Sequence, residues 1–179
     1  TTVLGCGRWG SFLAWYADRM GHKTRLWGRE NSKNLQQLRK DRKNEYLNIG
    51  ESIELCDSLE IALADCDYLI ISISSQELRA LCRELQQYNL SRTTIILAMK
   101  GVEKNTGFRL SEIVNQEIPT SAGVAIWVGP GHVQEFVNNI PNCMLISSED
   151  VELTKRIISD FNSELIRLYI GEDLIGNEI

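Results

Sequence analysis

Nothing in this 179-residue sequence approaches the ~20 consecutive apolar residues of a membrane-spanning helix. Basic residues are in the minority. Nineteen Lys and Arg against 24 Asp and Glu leave a formal net charge of −5, which speaks against nucleic acid or an anionic membrane surface as the main partner. A small anion remains compatible, because backbone amides and a few local cations can hold one inside a negative protein. The five cysteines, Cys6, Cys56, Cys66, Cys82 and Cys143, are odd in number, scattered, and form no C-x-x-C pair. That is poor material for a disulfide framework or a zinc site, so no metal is expected, and reduced thiols point to a cytoplasmic location. No internal repeat, low-complexity tract or linker divides the chain. No leader precedes Thr1-Thr2-Val3-Leu4, which is already strand-like, so the start reads as clipped. With 43% hydrophobic and 24% charged residues, the remainder is ordinary globular material.

What is present is an alternation of short apolar runs and amphipathic stretches. Val3-Leu4, Thr24 to Trp27, Ile53 to Leu55, Tyr68 to Ile73, Thr94 to Ala98, Val124 to Val128, Cys143 to Ile146 and Leu165 to Leu168 read as strands. Between them, Phe12 to Met20, a polar stretch over 31–43 anchored by Leu35 and Leu38, Ser58 to Ala64, Gln76 to Gln87, Leu110 to Val114 and Val151 to Phe161 read as helices. Gly21 is placed to stop the first helix. Continuous apolar strands such as Tyr68 to Ile73 are expected where both faces of a sheet are covered. The alternation predicts an α/β, doubly wound, mainly parallel sheet with helices on both faces.

Gly5-Cys6-Gly7-Arg8-Trp9-Gly10 matches G-x-G-x-x-G between the first strand and the first helix, with a second strand following. In that context it is the phosphate-binding turn of a Rossmann-type domain. Gly5 permits the tight turn, Gly7 lets the backbone approach a pyrophosphate, and Gly10 lets helix and strand pack closely. The helix amino terminus then offers free N–H groups and partial positive charge to an anion. At the end of the second strand, Trp27-Gly28-Arg29-Glu30 places a guanidinium before a carboxylate. Arg29 suits a 2′-phosphate and favours NADP, while Glu30 keeps NAD open. Lys100 follows an apolar strand, at the carboxyl end where ligands bind in open α/β sheets, and can attract a phosphorylated substrate and polarise its carbonyl. Gly129-Pro130-Gly131 follows another strand and lets N–H groups come close to a ligand. His132 is placed to start or cap the next helix.

Three further segments carry a family resemblance: Asn44-Glu45-Tyr46-Leu47, Ala98-Met99-Lys100-Gly101-Val102-Glu103 running on to Leu110-Ser111-Glu112-Ile113, and Val128-Gly129-Pro130-Gly131-His132. With Leu26-Trp27-Gly28-Arg29, Trp9 and Asp173-Leu174-Ile175-Gly176, the whole chain resembles, in order, the amino-terminal half of bacterial-type NAD(P)-dependent glycerol-3-phosphate dehydrogenases. That resemblance implies oxidoreduction between dihydroxyacetone phosphate and sn-glycerol 3-phosphate for phospholipid synthesis. It implies that Arg8, Trp9, Arg29, Glu30, Tyr46 and Val133 border the cofactor, beside Gly5, Gly7 and Gly10. It also implies that Lys100 touches cofactor and substrate, and that Gly129 and Gly131 line the substrate site. Two positions depart from the pattern: Gly131 stands where Ser or Thr is usual, and Ser74 where Pro is common.

The resemblance divides the chain into residues 1–170, an NAD(P)-binding domain, and 171–179, the start of a linker or helix. It places the lysine that exchanges the proton beyond Ile179, in a helical domain that also carries most phosphate contacts and a homodimer interface. No catalytic residue is therefore expected within 1–179, and the fragment alone is expected to be inactive. The rival readings are a ketopantoate-type or other β-hydroxyacid reductase, and a non-catalytic nucleotide-sensing module.

Overall fold

In the computed structural model, which describes residues 1–179, strand and helix alternate along the chain. β1 (Thr2–Leu4), α1 (Arg8–Arg19), β2 (Arg25–Trp27), α2 (Lys33–Asp41), β3 (Glu54–Cys56), α3 (Leu59–Leu63) and β4 (Tyr68–Ile71) come first. α4 (Leu78–Leu85), β5 (Thr94–Leu97), α5 (Leu110–Glu117), β6 (Gly123–Val128) and α6 (Val133–Val137) follow. β7 (Asn142–Ser147), α7 (Val151–Phe161), β8 (Ile166–Ile170) and α8 (Leu174–Glu178) complete the chain. One sheet holds all eight strands in the order β3-β2-β1-β4-β5-β6-β7-β8. The first six strands are parallel; β7 runs antiparallel to β6, and β8 parallel to β7. The expected mainly parallel sheet is observed, with one reversal near its edge.

Strand residues alternate between two cores, as period-two geometry requires. Val3, Ile70, Ile96, Ala125 and Trp127 face α1, α2, α6 and α7. Leu4, Leu69, Ile71, Ile95, Leu97 and Ile126 face α3, α4 and α5. Leu35 and Leu38, the two apolar anchors in a polar stretch, are fully buried. Helix starts follow local chemistry. The side chains of Ser32, Ser58 and Asp150 accept amide hydrogen bonds at the amino termini of α2, α3 and α7. Past the end of α1, Gly21 takes φ +87°.

The differences from expectation lie at element ends. β3 begins at Glu54, because Ile53 is still held in a turn by its amide bond to the Gly50 carbonyl (3.2 Å). α4 is preceded by a 3₁₀ turn, Ser75–Glu77, rather than starting at Gln76. β8 extends to Ile170. Within residues 171–179, Leu174–Glu178 are helical: α8 packs on β6, and Glu178 is fully buried. No helix is long and apolar enough to cross a membrane.

Candidate dinucleotide and substrate site

The residues singled out in the sequence gather at the carboxyl ends of the parallel strands, on either side of the β1–β4 boundary where the strand order reverses. A cleft of about 600 Å³ lies over this boundary, bordered by Gly5, Gly7, Gly28, Arg29 and Ser72. Each turn glycine meets a different constraint. Gly5 has φ +114°, and a Cβ there would fall 2.1 Å from the Ser72 carbonyl oxygen. A Cβ at Gly10 would fall 1.8 Å from the Gly5 carbonyl oxygen. Gly7 has ordinary extended dihedrals (φ −74°, ψ −173°) and nothing within 4 Å of a Cβ position. Local backbone geometry does not demand glycine there, and Gly7 lines the cleft.

α1 is suited to receive an anion. Its N-cap makes no side-chain hydrogen bond, and its first turn carries no acid. The N–H groups and partial positive charge of a 12-residue helix are left open at Gly7, which lines the cleft. α2, α3 and α7 by contrast are closed by their own caps. These features fit a dinucleotide pyrophosphate.

Around the turn, Arg8 bonds the Gln134 side chain and lies 4.5 Å over the Tyr46 ring. Tyr46 is positioned locally: the Asn44 side-chain oxygen accepts from the Tyr46 and Leu47 amides at 2.9 and 3.0 Å. Arg29 lines the cleft but is engaged by Glu77 at 2.8 Å, with both side chains about half exposed or more. Glu30 is exposed and does not line the cleft. Ser32 and Asn34 do line it. Neither residue was singled out in the sequence. Val133 is 1% exposed and packs in the core.

Beside this cleft, Trp9, Lys100, Gly129 and Gly131 border a second cavity of about 160 Å³. Lys100 is exposed just beyond β5, next to Gly101 at φ +117°. A Cβ on Gly129 would meet Met144 at 2.8 Å. At Gly131 a Cβ would lie 2.2 Å from the Phe136 ring, which accounts for glycine where a hydroxyl residue is usual. His132 is the N-cap residue of α6 and makes no capping bond through its side chain.

Behind Lys100, Arg79 holds the 101–108 segment. It bonds the Glu103 carboxylate through two nitrogens at 2.8 and 2.9 Å and Glu117 at 2.6 Å. The guanidinium, helped by the Thr106 hydroxyl, lowers Glu103 from the ordinary 4.5 to about 2. No group of His, Cys, Asp and Glu is arranged to bind a metal. Four cysteines are buried and Cys143 is exposed. Burial raises the Cys56 and Cys82 thiols to about 11 and about 12, which keeps them protonated and unreactive.

An open helix terminus under a glycine turn at the switch point of a doubly wound sheet defines a dinucleotide-binding domain. The chain belongs to the family described as NAD-dependent glycerol-3-phosphate dehydrogenase N-terminus, whose model matches residues 1–154. It is 29% identical over 179 residues to a glycerol-3-phosphate dehydrogenase [NAD(P)+] of Neisseria meningitidis serogroup A, covering 98% of this chain and 54% of that protein. The counterpart in Chlorobium limicola is 32% identical over 183 residues, covering 99% and 55%. A crystal structure of glycerol-3-phosphate dehydrogenase from Coxiella burnetii superposes with a TM-score of 0.89 at 25% identity, covering 99% of this chain and 55% of that one. The chain thus spans about half the length of the curated relatives it matches.

Proposed function

We propose that the protein carrying this chain interconverts dihydroxyacetone phosphate and sn-glycerol 3-phosphate with a nicotinamide dinucleotide, supplying glycerol phosphate for phospholipid synthesis. Residues 1–170 form its cofactor half. Residues 171–179 lead towards a helical half that brings the proton-exchanging lysine, most of the substrate-phosphate contacts and a homodimer interface. The observation that carries this reading is that the start of α1 serves both cavities: its N-cap Gly7 lines one, and Trp9 lines the other together with Lys100, Gly129 and Gly131. Membership of the family supports it over the ketopantoate-type and nucleotide-sensing readings.

In this reading the nicotinamide supplies or accepts the hydride at the substrate's C2. The amides after Gly7, with Gly5 and Gly10 shaping the turn, hold the pyrophosphate. Arg8 and Tyr46 flank it, and Trp9 walls the nicotinamide end. Lys100 draws the phosphorylated substrate in and stabilises negative charge developing on the carbonyl oxygen, a role worth about 10²–10³ in rate for comparable oxyanion donors. Backbone at Gly129 and Gly131 lets the substrate approach closely. Arg29 favours NADP(H) by accepting the 2′-phosphate once released from Glu77, Glu30 beside it keeps NAD open, and Val133 borders the cofactor. The protein works in the cytoplasm.

The test is steady-state turnover of the full-length protein with dihydroxyacetone phosphate and NADPH or NADH. The expected result is substrate-dependent oxidation of the dinucleotide; its absence with both cofactors overturns the proposal.

A further inference from the structure

Glu178 is the one fully buried carboxyl side chain, at 0% exposure, in a helix of only five residues. Burying a carboxylate is unfavourable unless each oxygen finds a donor, and here both do. One oxygen accepts from the Ser111 amide. The other accepts from the Ser111 hydroxyl at 2.9 Å and the Arg109 guanidinium at 3.1 Å. These donors stand at the start of α5, where free amides and the helix dipole favour negative charge. Arg109 is itself fixed by Glu112 at 3.0 Å.

The same residue reaches the candidate active site through its main chain. The Glu178 carbonyl accepts the Gly101 amide at 2.9 Å. Gly101 adjoins Lys100 and sits at φ +117°, a conformation that costs glycine nothing but is easily lost without a tether. Other anchors hold the segment further along. Gln76 bonds the Val102 carbonyl and the Lys104 amide at 3.0 and 2.9 Å, and Arg79 holds Glu103. Glu178 grips the residue next to Lys100.

We propose that Glu178 is a positioning residue for the reaction: its buried carboxylate, locked at the start of α5, holds its own carbonyl against Gly101 and so sets where Lys100 stands. The inference rests on the role given to Lys100 above. It makes the docking of α8 and the placement of Lys100 a single event. A lysine displaced by about 1 Å loses up to 10²-fold in rate without any change in how the dinucleotide binds.

The experiment uses the full-length protein with dihydroxyacetone phosphate and NADPH. Absence of turnover by the unmodified protein overturns the proposed function, a failure distinct from those of the variants. Glu178→Gln is expected to lower kcat about tenfold or more while the KM for NADPH stays within about twofold. On a Lys100→Ala background the same change is expected to cost less than about twofold, because the lysine it positions is gone. Asn177→Ala removes only the neighbouring bond to Ser147 (3.0 Å) and should leave kcat within about twofold. The proposal is overturned by an unchanged kcat in Glu178→Gln, by a loss that follows the KM for NADPH, by additive losses with Lys100→Ala, or by an equal loss in Asn177→Ala. Should Glu178→Gln fail to fold, Ser111→Ala removes one donor and is expected to lower kcat about threefold with the same unchanged KM; no change there overturns it equally.

Discussion

The α-carbon of Gly10 lies against the carbonyl of Gly5 so closely that a methyl group on it would sit 1.8 Å from that oxygen. At Gly7, two residues past Gly5, the same added methyl meets nothing within 4 Å. The two glycines of one motif therefore meet different constraints: packing demands glycine at position 10, and nothing in the fold demands it at position 7.

Opposite signatures follow for their alanine variants. Gly10→Ala is expected to destabilise the protein by about 1–3 kcal/mol or more through overpacking of α1 on β1. Gly7→Ala should leave the melting temperature nearly unchanged yet weaken dinucleotide binding about tenfold or more, since its methyl occupies the approach of the pyrophosphate. Thermal melts paired with calorimetric titration of NADPH separate the two. Equal effects on both quantities at either position would contradict this division.

Cofactor choice should respond to the Arg29–Glu77 pair. A charged hydrogen bond to a 2′-phosphate is worth about 1.5–3 kcal/mol, so Arg29→Ala is expected to weaken NADPH by roughly 10- to 100-fold and NADH by less than about twofold. Glu77→Gln frees Arg29 from a half-exposed ion pair worth about 0–1 kcal/mol. NADPH affinity should then rise by at most about fivefold. Comparing dissociation constants for the two dinucleotides checks both signs.

Serine at position 131 should be rejected by the aromatic core rather than improve substrate binding. The Phe136 ring fills the space of a side chain at Gly131, and it is itself stacked on Phe12 at 5.0 Å. Gly131→Ser is expected to cost about 1–3 kcal/mol, and appreciably less when Phe136 is already Leu. A denaturant double-mutant cycle gives the coupling; additive costs would show that the ring is not the obstacle.

Acid stability should depend on Arg79. Glu103 is held at about 2, below its ordinary 4.5, so the unfolded chain takes up its proton first as pH falls. The contribution is complete above about pH 4.5 and is lost as pH drops through about 2. Glu117 is lowered by the same guanidinium and adds in the same direction. Arg79→Met should therefore flatten the fall in melting temperature across that window, and an unchanged slope would remove Arg79 as its cause.

Element type and order were legible because each strand here is either an apolar run or flanked by glycine and polar breaks. The glycine turn, Arg29, Lys100 and the Gly129–Gly131 segment were legible because motif position in a βα unit fixes which end of the sheet they occupy. What was hidden depends on contacts between residues distant in the chain. The Glu77 partner of Arg29 lies 48 positions away, and the Phe136 ring that explains Gly131 belongs to a helix whose packing no local pattern encodes. Val133 carried no sign of burial in the sequence, yet it is 1% exposed. The burial of Glu178 was not legible, because one acid in a short segment that also holds Glu172 and Asp173 looks solvated until Arg109 and Ser111 are brought beside it.

β7 and β8 run opposite to the six strands before them, so the polypeptide leaves the sheet heading away from both cavities. α8 is the segment that turns it round, and the Glu178–Gly101 bond marks where that return ends. Strand polarity at one edge thereby decides the return path: residues 174–178 come back along β6 to the amide beside Lys100.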